Sequence, residues 1–170
     1  MSDDIESAGA DTFDEARFRQ VLGHFCSGVA VVTGLEEGRP VGLTVQSFTS
    51  LSLDPPLVLF CPAKSSTSWA RMRVADGFCV NILEEGQEAL CRAFAARGGE
   101  KFEGVGWTPA PRTGSPVLSG ALAWIDCRLD AEHDGGDHTI VVGRALDLGL
   151  HERDGTPLLF YRGGFGRFEP

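Results

Sequence analysis

The chain has 170 residues, 42% hydrophobic and 23% charged, which suits one soluble domain with its own core and excludes a fibrous or disordered chain. With 24 Asp and Glu against 15 Lys and Arg, the net charge of −9 argues against a nucleic-acid backbone or an anionic membrane as partner. Residues 1–12 are acidic, with neither a basic start nor an apolar segment. They are expected to be a disordered leader rather than a signal or transit peptide, ahead of one domain over 13–170. No apolar run approaches the roughly 20 residues of a bilayer span.

The first element expected is a helix capped by Thr12 or Asp14 and carrying Phe18, Val21, Leu22 and Phe25 at helical spacing, ended by Gly28. Val29–Gly34 (VAVVTG) and Pro40–Ser52 (PVGLTVQSFTSLS) flank the turn EEGR, a hairpin signal. Pro55-Pro56 introduces a strand over Leu57–Cys61 (LVLFC). A short helix follows from Thr67 to Val74, then a buried strand over Phe78–Leu83 and a helical pattern from Gln87 to Arg97. The Gly- and Pro-rich stretch GGEKFEGVGWTPAPRTGSP reads as a long loop, and loops of that length in small domains are usually functional rims. ALAWIDCRLDAEH and HTIVVGRALDLGL form a long hairpin around DGGD, and PLLFYRG reads as a closing strand. About seven strands joined mostly by hairpins, with short helices inserted, predict a mostly β, antiparallel barrel.

Five cysteines (Cys26, Cys61, Cys79, Cys91 and Cys127) are odd in number, scattered, and without CxxC spacing. Four of them sit in apolar runs. Reduced, packed thiols in a cytoplasmic protein fit them better than a disulfide framework or a zinc site. There is no dinucleotide fingerprint after a strand, no P-loop, no HExxH and no GxSxG. The run from His133 to His138 (HDGGDH) has metal-ligating types, but Asp-Gly-Gly-Asp is also what a tight turn requires, and no metal is expected.

Two stretches carry more polar groups than folding needs. CPAKSSTSW places Lys64 and the hydroxyls of Ser65, Ser66 and Ser68 around the start of a helix, a combination suited to a phosphate. A helix cap alone accounts for one hydroxyl. Upstream, GLTVQSFTS carries Thr44, Gln46 and Ser47 among Leu43, Val45 and Phe48. Such a strand either edges a sheet with its polar side in solvent, or holds the polar rim of a planar heterocycle while its apolar residues cover the faces.

The series FRQVLGHFCSGVAVVTG, PVGLTVQSFTSLSLDPPLVLFCPAKSSTSW, FCVNIL, EKFEGV, GDHTIVVG and PLLFYRGGFG resembles the short-chain flavin reductase family. These are the reductase components of two-component flavin-dependent monooxygenases. The Gln-Ser-Phe form of the second motif, where Asn-Ser-Phe is common, resembles the branch serving aromatic-ring hydroxylases of steroid catabolism. The resemblance implies a flavin-binding split β-barrel, a homodimer, FAD or FMN as flavin, and NADH or NADPH as hydride donor. A flavin-dependent monooxygenase would then accept the reduced flavin.

It also implies roles. Gly42, Leu43, Thr44 and Val45, with Gln46, Ser47 and Phe48, are expected to line the isoalloxazine. Pro62, Ala63 and Lys64, with Ser68 and Trp69, are expected on the phosphate side, and Phe94 and Ala95 beside the outer flavin. The nicotinamide is expected near His138 and the segment Phe160, Tyr161, Arg162 and Gly163. No acid–base catalyst is required, because the cofactors carry the hydride chemistry. A flavin-binding module without turnover, and a split-barrel oxidase of another substrate, are the other classes open to such a chain.

Overall fold

In a computed structural model that describes residues 13–75, 77–151 and 154–169, the chain enters through helix α1 (Glu15–Leu22). Asp14 caps it, its Oδ1 accepting the N–H groups of Ala16 and Arg17 at 3.0 and 3.2 Å. The leader expected over 1–12 lies outside the described residues. The helix forms but is shorter than expected, ending at Leu22 with Gly23 as its cap, so that Phe25 lies beyond it and Gly28 sits in a strand; it buries none of its residues. Phe18, Val21, Leu22 and Phe25 remain between 48% and 81% exposed.

A short strand, β1 (Ser27–Gly28), leads into the hairpin of β2 (Ala30–Glu36) and β3 (Arg39–Val45). Glu37 and Gly38 make the turn with φ of 49° and 78°, the positive values a two-residue hairpin loop demands. The strand expected over Pro40–Ser52 is two strands. It breaks after Val45 and resumes as β4 (Thr49–Leu53), which pairs with β5 (Pro56–Phe60). Helix α2 (Thr67–Met72), β6 (Gly77–Ile82) and helix α3 (Glu88–Ala95) follow near their expected places. The stretch read as an unbroken loop contains a small hairpin of β7 (Trp107–Pro109) and β8 (Pro116–Leu118). Next come the long strands β9 (Ala123–Gly135) and β10 (His138–Leu150). The segment expected to close the barrel instead forms β11 (Leu159–Tyr161), paired with β1 and β12 (Gly164–Gly166) in a separate three-stranded sheet.

The main sheet has seven strands in the order β3-β2-β6-β9-β10-β5-β4, all antiparallel. Its two edge strands, β3 and β4, are consecutive in the chain. A flat sheet of that width would hold its edges roughly 29 Å apart, whereas the link from Val45 to Thr49 reaches at most roughly 14 Å. The sheet therefore has to curl until its edges meet, and because no ladder joins β3 to β4 the result is a split barrel. Bulges in the β9–β10 ladder at Val142/Gly143 and Ala145/Asp147 supply local bend.

Phe60, Trp69 and Phe78 fill the barrel as mutual edge-to-face pairs, with centroids 5.2, 5.3 and 6.0 Å apart. A second cluster beneath α3 contains Val31, Leu83, Phe94, Leu118 and Leu158. Buried Asn81 joins the layers: its amide donates to Val31 O and Pro116 O, both at 3.2 Å, while its Oδ1 accepts Leu118 N–H at 2.8 Å. Cys79, Cys91 and Cys127 are buried as expected and Cys61 partly so, but Cys26 is exposed. No helix among the described residues is long and apolar enough to cross a membrane.

Candidate functional site

Between the end of β3 with its following corner, the end of β5 and helices α2 and α3 lies a cleft of about 1030 Å³, at the upper end of the range for small-molecule sites. One wall is the last turn of β3, with Leu43, Thr44 and Val45. Thr44 Oγ1 donates to Cys91 O at 2.7 Å, fixing α3 across the strand. Gln46 and Ser47 continue the wall along the link. The Ser47 hydroxyl accepts Cys61 N–H at 2.8 Å and donates to Cys61 O at 3.3 Å, tying the link to the end of β5.

Cys61, Pro62 and Ala63 form the opposite lip. Thr139 N–H donates to Pro62 O at 3.0 Å and Lys64 N–H to Asp137 O at 2.9 Å, which lashes this segment to the β9–β10 turn and brings His138 to the rim. His138 Nδ1 lies 2.7 Å from Asp137 Oδ1, a contact that holds the Asp137 carboxyl below its ordinary pKa. Ser65, Ser66, Thr67 and Ser68 line the base of the cleft around the start of α2, where Ser66 Oγ caps the helix by accepting Trp69 N–H at 3.2 Å. Phe94 and Ala95 close the far side from the end of α3, followed by Ala96, Arg97 and Gly98.

Lys101 stands under the floor. Its Nζ donates to Phe94 O at 2.9 Å, and to Gly42 O and Ser68 Oγ at 3.3 Å each, so one ammonium joins α3, β3 and α2. Burial, and then the nearby charge of Arg71, lower its pKa. The cleft thus offers apolar surfaces at Leu43, Val45, Pro62 and Phe94, a row of hydroxyls, and two cations at one end. That donor set fits an elongated ligand with a flat apolar ring and an anionic tail.

The sequence matches the family described as flavin reductase like domain over residues 22–169. The chain belongs to the flavin reductase family. It is 50% identical over 164 residues, 96% of this chain and 83% of the other, to the flavin-dependent monooxygenase reductase subunit HsaB of Rhodococcus jostii. Among solved structures, the nitrilotriacetate monooxygenase component B homologue from Mycobacterium thermoresistibile is 49% identical, with a TM-score of 0.89 over 95% of this chain and 90% of that one. The NADH:FAD oxidoreductase SgcE6 of Streptomyces globisporus, solved with NAD and FAD fragments, is 38% identical, with a TM-score of 0.87 over 92% and 94%.

In this flavin reductase most residues expected at the flavin do gather. Leu43, Thr44, Val45, Gln46, Ser47, Pro62, Ala63, Ser68, Phe94 and Ala95 all line the cleft, and so does His138. Gly42 lies one layer behind, where a Cβ would stand 2.6 Å from Phe94 Cε1. Phe48 packs against the barrel core, and Trp69 is buried there with its indole N–H donating to Glu132 Oε1 at 3.0 Å. Lys64 is outside the lining, its Nζ 2.6 Å from Asp134 Oδ2.

Phe160, Tyr161, Arg162 and Gly163 are also outside the lining. Phe160 stacks edge-on with Phe165 at 5.2 Å, and Tyr161 with His24 at 6.1 Å. Across the hairpin His133 pairs with Ile140 rather than His138, while Asp134 Oδ1 accepts Gly136 N–H at 3.0 Å, as a turn residue does. No group of metal-ligating side chains assembles there among the described residues. Arg97 and Lys101 were not legible as site residues, since both sit in a Gly-rich stretch whose place beneath β3 is set only by the fold.

Proposed function

We propose that the chain is the reductase half of a two-component monooxygenase: it oxidises NAD(P)H, reduces FAD or FMN, and releases the reduced flavin to a partner that hydroxylates an aromatic compound. The observation that carries this reading is the cleft itself, with apolar walls at the end of β3, just past β5 and at the end of α3, and with Arg97 and Lys101 in its lining, in a chain of the flavin reductase family. The reductase subunit and the NADH:FAD oxidoreductase among its relatives support the choice of cofactors.

Bound flavin and nicotinamide supply the hydride chemistry between themselves. The chain's part is to hold and orient them. Leu43, Val45 and Pro62 cover ring faces, and the hydroxyls of Ser47 and Thr44, already committed to backbone partners, keep the walls rigid. Arg97 and Lys101 face the anionic end. His138, at the rim, is placed to meet the nicotinamide. Excluding water from the contact between the rings falls to Phe94 and the rim residues.

The protein works in the cytoplasm, where reduced nicotinamide is made and its thiols stay free. It functions as a homodimer, in which a second copy covers the apolar stripe of α1. A steady-state matrix of NADH and NADPH against riboflavin, FMN and FAD tests the activity. Flavin-dependent oxidation of at least one nicotinamide is expected. A protein that binds flavin yet oxidises neither would be a flavin-binding module instead.

A further inference from the structure

The family resemblance places Lys64 at a phosphate, but its side chain is engaged elsewhere. Its ammonium is 2.6 Å from Asp134 Oδ2 and lies outside the cleft, whose lining cations are Arg97 and Lys101. Asp134 sits at the tip of the β9–β10 hairpin, where Gly136 and Asp137 form the loop between paired Gly135 and His138. Gly136 takes a φ of 79°. A tip with two adjacent glycines is ordered at a high entropic cost and does not hold itself.

Lys64 grips that tip on both sides of the glycines. Ahead of them its Nζ holds Asp134, whose second oxygen, Oδ1, accepts Gly136 N–H at 3.0 Å. Past them its main-chain N–H donates to Asp137 O at 2.9 Å. The ammonium, and then the Gly136 N–H, hold the Asp134 carboxyl below its ordinary pKa, so the grip stays charged at neutral pH.

The tip carries His138 to the rim. Its cross-strand neighbours are Gly135 and Ala63, too small to pin an imidazole. Among the described residues the ring's one hydrogen bond joins Nδ1 to Asp137 Oδ1 at 2.7 Å, and the side chain is 44% exposed. The aim of the ring therefore follows Asp137, and Asp137 follows Lys64.

We propose that Lys64 is a positioning residue for the nicotinamide: through Asp134 and Asp137 it fixes the hairpin tip and so aims His138 across the rim, and it holds no phosphate. The proposal rests on the reading of His138 as the residue that meets the nicotinamide. The Lys64–Asp134 pair is largely exposed, at 47% and 79%, so it adds little to global stability and its loss is a local loosening.

The test is steady-state kinetics with the nicotinamide at saturating flavin, beside titrations with riboflavin and FMN, thermal unfolding, and amide exchange at Gly136. It compares wild type, Lys64→Met, Asp134→Asn, their combination, and Lys64→Met in a His138→Ala background. Lys64→Met and Asp134→Asn should each raise KM for the nicotinamide about three- to fivefold, the scale of an exposed ion pair, with faster exchange at Gly136. The combination should be no worse than either alone, and in the His138→Ala background Lys64→Met should change nothing further. Flavin affinity and the unfolding midpoint should stay at wild-type values. A loss of FMN affinity in Lys64→Met that spares riboflavin overturns the proposal, because the lysine would then hold a phosphate. So does an unchanged KM, or a rise of the same size when His138 is already gone. Absence of flavin-dependent nicotinamide oxidation in wild type would overturn the reading of the cleft and with it the role at the nicotinamide, while faster exchange at Gly136 in Lys64→Met would still show the grip on the tip.

Discussion

A methyl group added at Gly42 would stand 2.6 and 2.7 Å from two ring carbons of Phe94, itself buried and edge-on to Phe102 at 4.9 Å. The ring can retreat only toward the cleft it lines, so Gly42→Ala should cost about 1–3 kcal/mol by overpacking and should push Phe94 into the cleft. Urea unfolding and a flavin titration together check it, and an unchanged midpoint with unchanged flavin affinity would show that the ring gives way freely.

Cys127 offers a second test at the same scale. Burial, and then the Asp126 carboxylate, raise its thiol from an ordinary 9.0 to about 12. The folded state keeps that proton when the unfolded chain has released it. Its contribution is therefore complete below the unfolded value and is lost as pH rises toward 12, at ~1.4 kcal/mol per pH unit. Cys79 is shifted the same way, mainly by burial. Unfolding midpoints should fall with pH above 9.0, less steeply in Cys127→Ala, and parallel curves for the two proteins would contradict it.

The residue scale also shows the reach of the sequence. Neighbours in GLTVQS and CPAKSS share the cleft because each motif is a strand end or turn whose polar excess is visible in one dimension, whereas Phe94 and Ala95, on helix α3, are expected there from the family resemblance alone. Trp69 belonged to the CPAKSSTSW motif yet faces the core. It lies three residues before Met72 on a short helix, and the two form the apolar part of its buried face beside Ser68. Lys101's role depends on three elements meeting, which no local pattern records.

At the scale of elements, the strand–link–strand from β3 to β4 was expected as one strand, since GLTVQSFTSLS alternates well enough throughout. Barrel closure overrides that pattern by requiring a corner at Gln46–Phe48. The β7–β8 hairpin is hidden in the sequence by its prolines, and the turn between its strands is tied to β9 as well as to itself. Buried Asp126 accepts Arg112 N–H at 2.8 Å, Thr113 N–H at 3.2 Å and the Thr113 hydroxyl at 2.6 Å. Asp126→Ala would strand three donors, and should cost about 3 kcal/mol while leaving flavin affinity within about twofold. Asp126→Asn, which keeps one acceptor, should fall between. A loss under ~0.5 kcal/mol for the alanine variant would mean the turn refolds around the gap.

For the whole molecule, the hairpin count and turn chemistry were enough to expect an antiparallel barrel, but not the separate sheet of β1, β11 and β12. The apolar residues of α1, Phe18, Val21 and Leu22, are uncovered in a single chain, as is Phe25 just beyond it. Stripes of this kind mark association surfaces. Light scattering at micromolar protein should give twice the 18.2 kDa chain mass. Replacing Val21 and Phe25 by Asp together should yield monomers that still fold, because neither side chain is buried. A wild-type mass of one chain would remove the dimer.

The split in the barrel has a consequence for how long the protein survives. Across the seam the two lips meet through the corner and the paired contacts of Ser47 with Cys61, without a strand ladder. A molecule seated in the cleft touches both lips and acts as a clasp on a cuff. At a concentration one hundred times its Kd, such a ligand stabilises the folded chain by about 2.7 kcal/mol. Cleavage that proceeds through opening of the cuff should slow by up to the same factor, so protease digestion with and without flavin would measure the clasp directly. The amount of enzyme in the cell would then follow the supply of the flavin it consumes, through turnover of the protein alone.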